Sequence, residues 1–269
     1  MAGEAKTTAF MLGTATIMLG AMADLMSLND NHSVGLVKNV TVKTTPGFTE
    51  LTQGVKNSPV FSVQTQNDSD VTGEMYEYTS KNLSYSAGLD GSSVKATTVK
   101  NTVKTAVVAP VDPAPLGAAA IPMDDTAGFA AGDTVFVTPP GTENVMVRNI
   151  ANIDAATKTL TLNLGLPFAV PVGTVIQKVN VVPVGSTDDQ PYLAAKIVGK
   201  LANGDMVAIL LPKVRITSGL SLAFKTDNFD NMPLQLKVYE QVASDPYYQM
   251  FQKVGPMQKP AKAMLLAAG

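Results

Sequence analysis

From residue 207 to 240 the chain runs VAILLPKVRITSGLSLAFKTDNFDNMPLQLKVYE. Over 214–224 the apolar side chains Val214, Ile216, Leu220, Leu222 and Phe224 fall on even positions, with Lys213, Arg215, Thr217, Ser221 and Lys225 between or beside them. The beat returns at Met232, Leu234, Leu236 and Val238, interleaved with Gln235 and Lys237. A period of two puts one set of side chains on a buried face and the other in water, which is what a half-buried strand requires. The intervening TDNFDN is rich in turn formers. The stretch therefore predicts a long antiparallel hairpin, with a strand over 206–211 leading into it that is apolar enough to be covered on both faces. It contains no catalytic cluster.

The same rhythm governs much of the chain. An apolar strand is expected over 8–19, then a short helix near 22–28. The N-terminal stretch also has an Ala-Met-Ala site of the kind signal peptidases cut, but its MAGEAK flank lacks the net positive charge of a signal peptide. Its threonines and glycines suit a strand better than a membrane helix. Val34, Leu36, Val40 and Val42 are expected to share a strand face. Residues 44–59, with Pro46-Gly47 and Pro59, are read as a long loop exposing Phe48, Leu51 and Val55, and long ordered loops are commonly functional. A strand over 60–66 and a polar turn over 67–70 follow. A short helix is expected over 80–88, capped by Ser80 and stopped by Gly88. Strands resume at 192–201, and residues 202–205 (Ala-Asn-Gly-Asp) make a hairpin turn.

Between 93 and 185 the composition shifts to frequent proline, with six acidic and six basic residues. Strands are expected at 134–137, 144–153, 158–164 and 172–182, the pattern of a small barrel or sandwich. Because alternation resumes afterwards, this segment reads as a small all-β domain inserted into a discontinuous host domain, 1–92 with 186–245. Residues 246–269 form a C-terminal arm, in which Tyr247, Tyr248 and Phe251 lie on a short amphipathic helix. Met264, Leu265 and Leu266 are read as a docking tail with no strand of its own.

Several classes of chemistry find no support in the composition. Without cysteine there is neither disulfide nor thiolate metal site, and one histidine, His32, cannot make a histidine metal cluster. Two arginines, Arg148 and Arg215, are few for a reader of base sequence. The acid pairs Asp124-Asp125 and Asp188-Asp189 sit in turn-like contexts and read as solvated loop carboxylates. No phosphate loop, serine elbow or metal spacing is present. No enzyme activity, cofactor or metal is expected. Only 16% of residues are charged, against about a quarter in ordinary domains, and a surface so poor in charge suits contact with other subunits.

Two blocks carry a family likeness: GEMYEYTSKNL running into AGLDG over 73–91, and LPKV through TDNF to MPLQL over 211–236. In these, and in the strands around them, the chain resembles bacteriophage tail tube proteins, the major tail proteins. The likeness covers roughly 8–91 and 187–245. It implies a mainly β, sandwich- or barrel-like host domain with a flanking helix. It further implies rings of about six copies stacked into a hollow tube that conducts the genome. The partners implied are other copies of the chain, a sheath protein in contractile tails, and double-stranded DNA in passing. The location implied is the virion tail, after synthesis in the host cytoplasm, with no membrane involved. On this basis Phe48, Leu51, Val55, Tyr247, Tyr248, Phe251, Met264, Leu265 and Leu266 are candidate contacts between subunits or rings. Lys213, Arg215, Lys225 and Lys237 are candidates for the lumen wall or a subunit seam. The inserted segment is similar to small β-modules of other virion proteins. It supports an alternative, a receptor- or carbohydrate-binding module, although the chain has no Trp and the segment's aromatics are Phe129, Phe136 and Phe168.

Overall fold

In a computed structural model the described residues are 11–53, 58–91, 99–105, 120–167, 170–185, 189–223, 230–252 and 261–267. In chain order the elements are β1 (Met11–Ala21), β2 (Val37–Gln53), β3 (Ser58–Met75), α1 (Ser80–Ser86), β4 (Lys100–Thr102), β5 (Ala120–Pro122), β6 (Thr134–Thr138), β7 (Met146–Asp154), β8 (Thr159–Leu162), β9 (Val175–Lys178), β10 (Leu193–Leu201), β11 (Met206–Ile216), β12 (Met232–Val238), α2 (Tyr248–Gln252) and β13 (Met264–Ala267). The protein is mainly β, and every strand pair is antiparallel. The chain divides into two compact units, Met1–Ser93 with Val182–Gly269, and Val94–Val181.

The first unit holds one sheet in the order β1-β10-β11-β12-β3-β2, with β13 added to β11. One face carries the main core: Ile17 and Leu19, Leu193 and Ile197, Val214 and Ile216, Leu234 and Leu236, and Val71 and Met75, closed by Tyr85 of α1. Tyr85 is fully buried and donates its hydroxyl to the Leu19 carbonyl at 3.1 Å. Met18, Ala194 and Leu210 point to the opposite face and pack with Leu25, Leu28 and Phe251. The strand read as covered on both faces therefore is so at Leu210 and Leu211, although Met206 at its start is exposed. The N-cap of α1 is Thr79, one residue before the expected Ser80, and its side chain accepts the Asn82 amide. None of the described helices is long and apolar enough to cross a membrane.

Four expectations are corrected here. Residues 44–53 and 58–59 lie in strands, not in the expected loop, because the β2–β3 ladder runs on through Pro46↔Asn67 and Leu51↔Phe61 to Gln53↔Ser58. Proline is tolerated because β2 is an edge strand, where a missing N–H breaks no central ladder. The same ladder takes up the predicted polar turn at 67–70. Alternation over 214–224 also overstates the strand. β11 ends at Ile216 and pairs with β12 only at 214, 215 and 216, while residues 224–229, including Lys225, lie outside the described residues. Finally, the β2 face is reset by a register shift between Lys38 and Thr41, with Asn39 at φ 54°. Val37 is buried there and Leu36 is exposed.

At Gly35 (φ +78°) a Cβ would overlap the Glu77 carboxyl group. That carboxylate accepts the Leu36 amide at 2.8 Å, so it cannot move aside without losing the bond. Gly35→Ala combines this loss with left-handed strain. It is expected to cost about 2 kcal/mol, read as a lower urea midpoint at unchanged m-value.

The second unit is a six-stranded sheet, β4-β9-β6-β7-β8-β5. Its ends meet: the Lys104 amide donates to Pro122 and the Asp124 amide to Thr102, beside the Val103↔Met123 bridge. The sheet thus curls around Ile121, Val135, Val137, Ile150, Leu160, Leu162 and Ile176. All four strands read from the sequence are present, each shorter or shifted at its ends. β4 and β5, three residues each, are too short to give a periodic signal.

Candidate functional site

The feature of the first unit that no core explains is the outer part of the β2–β3 ladder. β12 pairs with β3 only from Asp70 to Met75. Beyond that level the two strands have each other as sheet neighbours. From 41 to 53 every residue except Gly47 is exposed, and so is every residue from 58 to 67. Isolated two-stranded ribbons are marginal in water. This one also displays large apolar side chains: Phe48 is 57% exposed, Leu51 63% and Phe61 62%. Register places Leu51 opposite Phe61 and Thr49 opposite Val63, so Leu51, Phe61 and Val63 share one face. Phe48 and Glu50 lie on the other, opposite Gln64 and Ser62. Phe48 and Leu51 thus occupy a ribbon, not the loop expected, while Val55 lies outside the described residues.

The C-terminal candidates divide. Phe251 is corrected: it is 1% exposed and belongs to the chain's own second-face core. A short amphipathic helix signals an apolar stripe but not the surface that takes it. Tyr247 packs against the same cluster and donates its hydroxyl to the Ala23 carbonyl at 2.8 Å, and Tyr248 is half-buried. Met264, Leu265 and Leu266 do form a strand of their own, which is a further correction. β13 pairs with β11 from Val207↔Ala267 to Leu210↔Met264, filling the part of the β11 edge that β12 leaves unpaired. Met264 packs on the second-face cluster, whereas Leu265 and Leu266 are exposed.

The polar face of β10–β11–β12 also differs from its expected wet face. The register opposite β10 shifts between Leu193↔Val214 and Ala195↔Leu211, leaving Pro212 and Lys213 in a bulge. Proline in a central strand needs such a bulge, and bulges re-aim side chains. Lys213 is buried, not solvated, and its Nζ lies 2.7 Å from Asp245 Oδ2 and 4.6 Å from the Tyr192 ring centroid. Burial pushes the Asp245 carboxyl up, but the Lys213 hydrogen bond and charge and the Val242 amide outweigh it and hold it below its ordinary value. Arg215 stacks on Tyr192 (4.1 Å) and lies 6.0 Å from the Tyr239 centroid, and the two rings meet edge to face at 5.4 Å. Lys237 is half-buried and stands in register between Arg215 and Asp70.

The acid pairs and the histidine have local partners. Asp124 accepts the Thr102 hydroxyl, and Asp125 accepts the Thr126 and Ala127 amides. Asp189 is 95% exposed, and Asp188 lies outside the described residues. His32 closes a capping box with Asn29 in a short 3-10 turn. Among the described residues no group of three or more His, Asp or Glu is placed to hold a metal ion.

Comparison with models of known protein families gave no match, and a search of curated proteins gave no relative.

Proposed function

We propose that this chain is a structural subunit whose function is assembly: copies associate into rings, six to a ring, that stack as the tail tube of a bacteriophage and conduct the genome. The observation that carries this reading is the β2–β3 ribbon. It is a long, unsupported, apolar two-stranded arm, stable in water only if something covers it. Contact with further copies of the chain would supply that cover and blunt the exposed edge of β2. The low charge content and the resemblance of residues 73–91 and 211–236 to tail tube proteins point the same way. A chain of net charge −2 would not retain passing DNA, whose binding scales with the phosphates neutralised. No catalytic role, cofactor or metal forms part of this reading; a sheath protein is a partner only if the tail contracts.

The test is direct. Purified protein, concentrated and viewed by negative-stain electron microscopy alongside sedimentation, should form rings and hollow rods of uniform width. A protein that stays monomeric at high concentration over a range of salt and magnesium would refute it.

A further inference from the structure

Arg215 is held but not satisfied. Its guanidinium rests on the Tyr192 face, yet among the described residues it donates no hydrogen bond, and its Nε is buried without a partner. Among the described residues its ion-pair partner is Asp189, whose Oδ1 lies 3.7 Å from Nη1, beyond hydrogen-bond range, on a side chain that is 95% exposed. The neighbouring cation is different: Lys213 is neutralised by Asp245 at 2.7 Å. The guanidinium therefore keeps unused hydrogen-bond donors, with its plane set against an aromatic ring and about a fifth of its side chain open to solvent. A stacked guanidinium is preorganised to take a planar oxyanion through two parallel N–H bonds. Arg and Tyr are also the residues that most often dominate protein–protein contacts. One guanidinium with a single cross-strand lysine beside it is too few to hold DNA, so a carboxylate fits better than a phosphate backbone.

We infer that Tyr192, Arg215 and Tyr239 form a carboxylate-receiving site for a second copy of this chain, and that Glu50 of that copy's ribbon fills it. This rests on the tube reading above. Glu50 is the one charged side chain in residues 44–53 and 58–67. It is exposed on the ribbon face that also carries Phe48, and among the described residues it has no ionic or hydrogen-bonded partner. A single charge on an otherwise uncharged ribbon would fix the register in which the ribbon docks, because burying it anywhere but beside a cation is costly.

Assembly of wild type, Arg215→Gln, Arg215→Lys, Glu50→Arg and the exchanged pair Glu50→Arg with Arg215→Glu should be followed by sedimentation, with thermal melting of each variant. Arg215→Gln and Glu50→Arg are each expected to raise the concentration needed for polymerisation about tenfold. Arg215→Lys should fall between them and wild type, since it keeps charge without the planar fork. The exchanged pair should return to within about threefold of wild type. Because Glu50 is exposed, Glu50→Arg carries the test even if substitutions at 215 lower the melting temperature. Wild-type polymerisation by Arg215→Gln would overturn the site. Impaired single variants without recovery in the exchanged pair would overturn the assignment of Glu50. Duplex DNA bound by the wild type and released by Arg215→Gln would overturn the carboxylate in favour of phosphate. A wild type that never polymerises would sink the tube reading and this inference together, whereas polymerisation indifferent to all four variants would sink this inference alone.

Discussion

Asp245→Ala is expected to destabilise the first unit by about 3 kcal/mol, the cost typical of stripping the partner from a buried cation. Lys213 is enclosed by the bulge at Pro212, the Tyr192 ring and Asp245, and its ammonium would be left charged without an anion. The same carboxylate also accepts the Val242 amide at 2.8 Å, so the loop into α2 loses its tether as well. The double variant Lys213→Met/Asp245→Ala should recover most of the loss, because removing both charges removes the unpaired one. Urea unfolding of the three variants and wild type gives the comparison.

The pH dependence of the pair has a definite sign. The Asp245 carboxyl is depressed in the fold. Its contribution is therefore fully present above the unfolded-state value near about 4 and is lost as pH falls through the lower folded-state value. The gap between wild type and Asp245→Asn should stay constant from neutral pH to about pH 5 and close below about pH 4. A gap that widened on acidification would contradict the assignment.

Lys213 also shows where sequence periodicity reaches its limit. Met232–Val238 and Thr159–Leu162 alternate in the sequence and in the sheet, because an uninterrupted ladder preserves the period of two. One inserted residue shifts the phase, and nothing in a binary pattern marks the insertion. At Pro212 the marker is chemical: a proline with no amide, inside a strand that must pair on both sides. At Pro46 the same residue type misleads in the other direction. It reads as a turn because the sequence does not say that β2 is an edge strand. From 217 to 223 the alternation continues with no strand formed, since amphipathicity supplies a buried face but not a hydrogen-bonding neighbour. The Arg215 stack is out of reach of the sequence for another reason. Tyr192 and Tyr239 are distant along the chain and meet only because β10, β11 and β12 are neighbours. The ribbon's apolar content, by contrast, is legible. Phe48 and Leu51 stand out in the sequence as exposed apolar residues, and the ladder sets them opposite Gln64 and Phe61.

The ribbon makes the sharpest distinction between folding and assembly. Leu51→Ser combined with Phe61→Ser is expected to leave monomer stability within about 0.5 kcal/mol of wild type, since both side chains are already exposed. Assembly should respond very differently. If each side chain is buried against a neighbouring copy, each contributes about 2 kcal/mol of transfer free energy. Losing both then raises the critical concentration for rods by at least about a hundredfold. Val63→Ser on the same face should add to the effect. Thermal melting and sedimentation of the same samples separate the two outcomes. A ribbon that merely folds against its own unit would show the reverse, a lower melting temperature with no change in the onset of polymerisation. The exposure of Leu51 and Phe61 in the single chain argues against that outcome, because a contact within the chain would already have covered them.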